Sequence, residues 1–247
     1  MRPSADPFFE AYDRQQIAYG DRPSAPLEAY LRQVPCRGAA LDLGAGAGRD
    51  TLELARRGFD VTAVDLSERG LKRVLERAEA AGVADRVTTR VADVRQLAWQ
   101  PRSHAAIVAT TVLDHLPPED AATVWRGMCD SLADGGVLYA EVHTTDDPGC
   151  DRPPGSLRDA PVSETAGAVV NYFPPNRLAM WAAEPRAALR ILRYEERLEW
   201  DYTHGPEHLH GKAILLAVRA IRLPDWYGQP AAFPRRDEAP RRDQPDG

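Results

Sequence analysis

Leu41-Asp42-Leu43-Gly44-Ala45-Gly46-Ala47-Gly48-Arg49-Asp50 is the stretch that decides how this chain folds. Three alternating glycines follow a short apolar run at 39–43, and a helical pattern begins directly after them. A buried strand that turns into a helix over a ligand reads this way. One glycine permits the tight turn, and the others let the main chain approach the ligand with no side chain between. In dinucleotide-binding turns the glycines fall as Gly-x-Gly-x-x-Gly. Here the third comes one position early, at Gly48, and Arg49 stands where that pattern wants glycine. Asp42 adds a carboxylate in the turn that would repel a pyrophosphate and suits a cationic amino-acid moiety.

Outward from the turn, strands and helices alternate. Strands are predicted at 39–43, 60–65, 86–92, 105–112 and 137–143. Helices are predicted at 50–57, ending at Gly58, and after Ser67, with Leu71, Val74, Leu75 and Ala78 on the apolar face and Gly82 as the stop. A further helix opens at Pro117-Pro118 and buries Ala121, Val124, Trp125, Met128 and Leu132. An earlier one starts near Ser24, with Pro26 in its first turn. This order predicts an α/β fold, a parallel sheet covered on both faces.

Past residue 143 the pattern breaks. Residues 144–168, rich in Pro, Asp and Gly, read as an irregular insert loop of the kind that forms lids. A short helix is expected at 177–181, then strands at 188–200 and 212–221 joined by a His- and Gly-rich turn. Trp181 and Trp200 read as packing residues. Residues 1–223 are the expected folded unit, with 1–35 as an N-terminal lid and helices; Tyr12 and Tyr19 close that lid or pack. Residues 224–247, rich in Pro, Arg and Asp, read as a disordered tail.

The 247-residue chain is 43% hydrophobic and 28% charged, ordinary for a globular protein. Its net charge of −6 offers no basic excess to displace nucleic-acid counterions, so a nucleic-acid partner is not expected. No apolar run approaches the ~20 residues that span a bilayer, and the first residues lack a signal-peptide core, so the expected setting is cytoplasmic, with no membrane partner. Cys36, Cys129 and Cys150 are too scattered for a disulfide framework or a cysteine zinc site. Oligomeric state is left open.

Two further acids narrow the ligand. Asp65 ends the second strand, where a carboxylate holds ribose hydroxyls, as it does in dinucleotide folds too. Asp93 follows the third strand as a partner for an adenine amino group, with Ala92 and Val94 beside the ring. With Asp42 and the glycines, these acids point to S-adenosylmethionine rather than a dinucleotide. The competing readings are strand-end caps and solvated turn residues, a nicotinamide oxidoreductase, or a noncatalytic nucleoside-binding protein.

Residues 36–143 resemble the class I, Rossmann-type S-adenosylmethionine-dependent methyltransferases. The matching pieces are the 41–48 turn, Val61-Thr62-Ala63-Val64-Asp65-Leu66-Ser67, Val91-Ala92-Asp93-Val94, and the stretch from Thr111 to Glu119 that holds Asp114-His115. The resemblance implies a doubly wound seven-stranded sheet, order 3-2-1-4-5-7-6 with strand 7 antiparallel. It also implies cofactor roles for Asp42, Gly44, Gly46 and Gly48 at the methionine end, Asp65 and Leu66 at the ribose, Asp93 and Val94 at the adenine, and Thr110. The product would be S-adenosylhomocysteine and the partner a small-molecule methyl acceptor.

In that implied topology the 6–7 connection, the end of strand five and the segment after strand four share the carboxyl edge of the sheet. His204, His208, His210, His143 and His115 would then converge there, while His104 is structural. Three readings stand: a lining for the acceptor, with imidazoles that take a proton or bind an anion; metal binding, since His208 and His210 alternate by two; or a structural turn.

The stretches 18–24, 171–178, 192–196 and 213–217, with the His-Gly-Pro-Glu-His-Leu-His-Gly run at 204–211, resemble the tellurite-resistance-type branch. That branch implies a thiol, selenol or tellurite- or selenite-like oxyanion as acceptor. It nominates His143, Arg177, His204, His208 and His210 as catalytic, with no metal ligands. Arg177 could grip an oxyanion or simply be a solvated helix arginine. The rival acceptor is the oxygen or nitrogen of a small metabolite, with 144–168 as a lid.

Overall fold

The computed structural model describes residues 20–33, 37–150, 168–203 and 206–220. Tyr12, Tyr19, Cys36, His204, residues 151–167 of the insert and the 224–247 tail lie outside them.

The apolar runs form seven strands: β1 (Gly38–Leu43), β2 (Phe59–Asp65), β3 (Val87–Val91), β4 (His104–Thr110), β5 (Leu132–His143), β6 (Arg190–Asp201) and β7 (His208–Val218). They make one sheet in the order β3-β2-β1-β4-β5-β7-β6. β1 to β5 pair in parallel, and β7 runs antiparallel to both β5 and β6. The expected topology is the observed one. Because the parallel strands leave the sheet at one edge, Leu43, Asp65, Thr110, His143 and Asp201 all emerge there, and His208 re-enters beside Asp201.

Alternation along the strands splits the core in two, as a two-faced sheet requires. On one face Ile107, Leu138, Ala140 and Leu215 pack against Val124, Trp125 and Met128 of α4 (Pro118–Ser131) and Leu178 of α5 (Arg177–Ala183). On the other, Val108, Tyr139, Ile214 and Leu216 meet Leu27 and Tyr30 of α1 (Ala25–Leu31), Leu52 of α2 (Arg49–Arg56), and Leu71 and Val74 of α3 (Glu68–Ala80). The Ser67 hydroxyl caps α3 by accepting from the Gly70 N–H at 3.0 Å. Among the described residues, no helix is long and apolar enough to cross a membrane.

Three expectations change. β5 begins at Leu132 rather than 137. Leu132 pairs with His104 and the ladder resumes at Ala106 and Val137, so the residues between bulge, with Gly135 at φ +79°. β7 begins at His208 rather than 212, because Asp201, Trp200 and Glu199 of β6 pair with His208, Leu209 and His210. His208 and His210 therefore stand in a strand, not a turn. Trp200 is not packed: it faces outward on the edge strand, 44% exposed. Trp181 does pack, 5.2 Å from Phe173 and 5.9 Å from Trp125 between ring centroids.

Candidate active site

A cavity of about 360 Å³ opens at the carboxyl ends of β1, β2 and β4. This is where open α/β sheets bind ligands. Asp42, Gly44, Gly46 and Thr110 line it, and so do Asp65, Leu66, Asp93 and Val94. His115 forms part of its wall. Of the predicted cofactor residues, Gly48 alone stands behind the wall.

The glycines answer to the protein as much as to a ligand. Gly44, Gly46 and Gly48 all have positive φ, at +64°, +54° and +84°. A Cβ at Gly44 would lie 2.5 Å from Val112 Cγ2, and one at Gly48 would lie 2.9 Å from Val74 Cγ2. Gly48 is thus the packing contact between the turn and α3. The Gly46 N–H donates to Asp65 Oδ2 at 2.8 Å and the Ser67 N–H to Oδ1 at 2.7 Å, which locks the carboxylate across the turn. A carboxylate oxygen accepts more than one donor, so a diol can still be held by both.

Asp42 and Asp50 are both buried beneath the turn. Asp42 Oδ2 accepts from the Thr51 hydroxyl at 2.5 Å. Burial and the neighbouring Asp50 push the Asp42 carboxyl up to about 8. Asp50 ties three elements together, accepting from the Ser24 N–H at 2.8 Å, the Ser24 hydroxyl at 3.1 Å and the Thr110 hydroxyl at 3.1 Å. Arg49 Nε lies 3.5 Å from Asp50 Oδ2; burial works against the Arg49 charge, but Asp50 and Glu141 more than compensate. This donor set fits S-adenosylmethionine: a cation brought to Asp42 would restore its charge, and Asp65 presents a carboxylate to the same cavity that can accept from a diol. Asp93 is gripped by Arg95 through its backbone N–H at 2.9 Å and its guanidinium, which holds the carboxyl below its usual range.

Four histidines form a string leading away from the cavity. Ring centroids are 6.0 Å apart for His115 and His143, 4.6 Å for His143 and His210, and 4.7 Å for His210 and His208. His115 Nδ1 donates to the Ala168 carbonyl at 3.0 Å, so Nε2 is the acceptor nitrogen of the neutral ring. Asp114 Oδ2 accepts from the His143 backbone N–H at 3.1 Å and from its ring Nδ1. Burial pushes Asp114 up, but His115 and His143 outweigh it and hold the carboxyl at about 2. His143 moves the other way: burial lowers it, and Asp114 raises it further. Asp114 Oδ1 is buried and has no hydrogen-bond partner among the described residues.

At the far end, Asp147 Oδ2 accepts from His210 Nδ1 and from the Gly211 N–H, both at 3.0 Å. Gly211 lets this segment lie against β7: a Cβ there would run into the Asp147 N and the Asp146 carbonyl carbon. Beside the string, Lys212 Nζ sits 2.9 Å from Glu141 Oε1, and the Tyr139 hydroxyl donates to Glu141 Oε2 at 3.0 Å. Burial raises the Glu141 carboxyl, but Lys212 and Arg49 pull it down to about 2.

Of the nominated catalytic residues, His143, His208 and His210 come together in this string, though none lines the cavity; His204 lies outside the described residues. Arg177 is not brought to them. It is exposed at the start of α5 and lines a separate hollow of about 270 Å³ with Phe173 and Trp181. Sequence reasoning missed Asp114 and Asp147, the two carboxylates that orient the histidines. The Asp114-His115 pair in the matched 111–119 stretch was the available signal for one; nothing local marked the other. His104 is held by the Ser131 hydroxyl at 2.8 Å, far from the cavity, as a structural residue would be.

Residues 40–136 match the family described as "Methyltransferase domain". A ubiquinone biosynthesis O-methyltransferase of Xanthomonas campestris pv. campestris (strain B100) is 33% identical over 129 residues, covering 48% of this chain and 52% of the relative. The protein of that name from Xylella fastidiosa is 33% identical over 115 residues, 46% of this chain and 45% of the relative. The chain thus spans about half the length of the curated relatives it matches. Among solved structures, TehB from Haemophilus influenzae superposes with a TM-score of 0.60 at 23% identity, over 78% of this chain and 60% of that one. The [4+2]-cyclase SpnF gives 0.58 at 17% identity, over 87% and 92%. One fold hosts several reactions, so these two likenesses bear on architecture alone. With its matched stretch at 40–136, its 3-2-1-4-5-7-6 sheet and its acid-lined glycine turn, the chain resembles the class I, Rossmann-type S-adenosylmethionine-dependent methyltransferases.

Proposed function

We propose that this chain moves the methyl group of S-adenosylmethionine to a small-molecule nucleophile that carries a removable proton, a hydroxyl or a thiol. One observation carries the reading: Asp42, Asp65 and Asp93 share a single cavity with His115, and the Asp114–His143 pair stands directly behind that histidine. When bound, S-adenosylmethionine supplies an electrophilic methyl group on a positively charged sulfur. On this reading Asp42, Gly44 and Gly46 take its methionine end, Asp65 and Leu66 the ribose, and Asp93 and Val94 the adenine, with Thr110 held at the floor by Asp50.

His115 takes the acceptor's proton at Nε2, because its Nδ1 proton is committed to the Ala168 carbonyl. Asp114 stabilises the resulting imidazolium, as a buried carboxylate beside a general base does. Positioning of donor and acceptor out of water supplies the larger part of the rate, on the order of 7–11 kcal/mol in well-aligned cases. The name of the O-methyltransferase relatives supports an oxygen acceptor. A chalcogen oxyanion would need cationic support rather than a base, and Arg177, the side chain nominated for that, is outside the cavity.

The test has two stages. Thermal shift with S-adenosylhomocysteine and with NAD comes first; stabilisation by S-adenosylhomocysteine is expected, and stabilisation by NAD alone would overturn the cofactor. A transfer screen over phenols, thiols, amines, selenite and tellurite follows, read as S-adenosylhomocysteine formed. Turnover on a phenol or thiol that is lost in His115→Ala supports the reading. Turnover confined to selenite or tellurite, unchanged in His115→Ala, refutes it.

A further inference from the structure

We propose that His208, His210 and Asp201 form a binding site for a divalent transition-metal ion of the zinc class, separate from the cofactor cavity. Asp201 and His208 are paired neighbours where β6 and β7 meet, and His210 lies two residues along the same face of β7. One ligating atom from each of the three lies within 4.8 Å of the others. His208 and His210 are buried; Asp201 is half-buried at the strand end.

The tautomers carry the argument. His208 Nδ1 lies 2.6 Å from the Pro206 carbonyl, which can only accept, so that nitrogen bears the proton. His210 Nδ1 lies 3.0 Å from Asp147 Oδ2, which also accepts from the Gly211 N–H, so that nitrogen is likewise the donor. In two neutral rings both Nε2 atoms are then lone-pair acceptors, and they face each other at 3.0 Å. Two acceptors this close call for a shared positive centre, a proton or a metal ion.

Three features favour the metal. A carboxylate oxygen, Asp201 Oδ2, lies 3.9 Å from His210 Nε2 and completes a three-atom donor set. The other oxygen of Asp201 is held by the Thr203 N–H at 2.6 Å and the Thr203 hydroxyl at 2.7 Å, which fixes the carboxylate's orientation. Finally, each imidazole gives its remote N–H to a backbone carbonyl or a carboxylate, the supporting arrangement of metal-bound histidines. Two nitrogens bound to one tetrahedral ion at ~2.0–2.1 Å sit about 3.3 Å apart, so the rings need to open by only about 0.3 Å. Imidazole with carboxylate suits zinc and its neighbours rather than magnesium or calcium.

The experiment uses the full chain, stripped with EDTA and dialysed. Zn²⁺ is titrated in by calorimetry, and Co²⁺ is followed by visible absorption. The expected result is about one equivalent of Zn²⁺ per chain and the intense visible bands of a four-coordinate Co²⁺ site. Affinity should fall at least about tenfold in His208→Ala, in His210→Ala and in Asp201→Asn. Asp201→Asn, at a half-buried strand end, keeps the test open should the histidine variants fail to fold. Absence of stoichiometric Zn²⁺ binding by the wild type overturns the proposal and leaves a shared proton between the rings. Unchanged affinity in folded His208→Ala and Asp201→Asn overturns it too, since the ion would then sit with His143 or Asp147.

Discussion

Asp50, in the first turn of α2, reaches back to Ser24 and accepts both its backbone N–H, at 2.8 Å, and its hydroxyl, at 3.1 Å. The contact spans 26 residues and pins the start of α1 to the glycine turn. A buried carboxylate that accepts from Ser24 and Thr110 leaves several donors stranded when it is removed. Asp50→Ala should therefore lower stability by about 2–3 kcal/mol, and Ser24→Ala by about 1 kcal/mol. Urea unfolding of both variants checks this; an Asp50→Ala protein as stable as the wild type would sink the account.

Asp42 predicts a pH trend. Its carboxyl ionises at 3.8 in the unfolded chain and near 8 when folded, because of burial and then Asp50. Between those values the folded chain holds a proton that the unfolded chain releases. The contribution is complete below pH 4 and is lost as pH rises through about 8. Asp42→Asn removes the titration, so the variant should gain on the wild type between pH 5 and pH 8. Unfolding curves at three pH values give the comparison; a gap that stays constant contradicts it.

Two glycines separate strain from collision. Gly82 has φ +68° and open space around a would-be Cβ, while Gly48 has φ +84° and Val74 at 2.9 Å. Gly82→Ala should lose about 1 kcal/mol from the left-handed backbone alone. Gly48→Ala should lose about 3 kcal/mol, strain and overpacking together. Pairing Gly48→Ala with Val74→Ala should return part of the difference; melting temperatures of the four proteins settle it.

His115 and Arg177 make opposite predictions. With an acceptor in hand, His115→Ala should lower kcat at least about 100-fold while S-adenosylhomocysteine affinity holds within about threefold. Arg177→Ala should change neither, since it lines a different hollow. Equal losses in the two variants would return Arg177 to the site.

The parallel half of the fold was legible because each element carries its own local signal. Apolar runs end in Asp65 or at the glycine turn, Ser67 caps its helix, and Pro117-Pro118 opens another. The antiparallel half was less so. Gly205, Pro206 and Gly211 read as one long turn, yet Gly211 lies inside β7, where its missing side chain admits Asp147. Which glycine serves a turn and which a crossing depends on a partner 64 residues away. The acids that line the cavity were readable from their place at strand ends. Asp147 was not, because a carboxylate in a polar loop gives no local sign of the ring it orients. The hollow that Arg177 lines was not legible for a similar reason: a helix-opening arginine does not declare which hollow it faces.

Gly211 makes the histidines hostage to a residue with no side chain. A methyl group there would displace Asp146 and Asp147 before it disturbed either ring, and His210 would lose the acceptor that sets its tautomer. Gly211→Ala should thus undo what Asp147→Ala undoes at His210 and, because the clash is with backbone that Asp147→Ala leaves in place, be the more destabilising of the two. Position 211 would then register as a hot spot in a mutational scan, although the residue there has no side chain to offer to any chemistry.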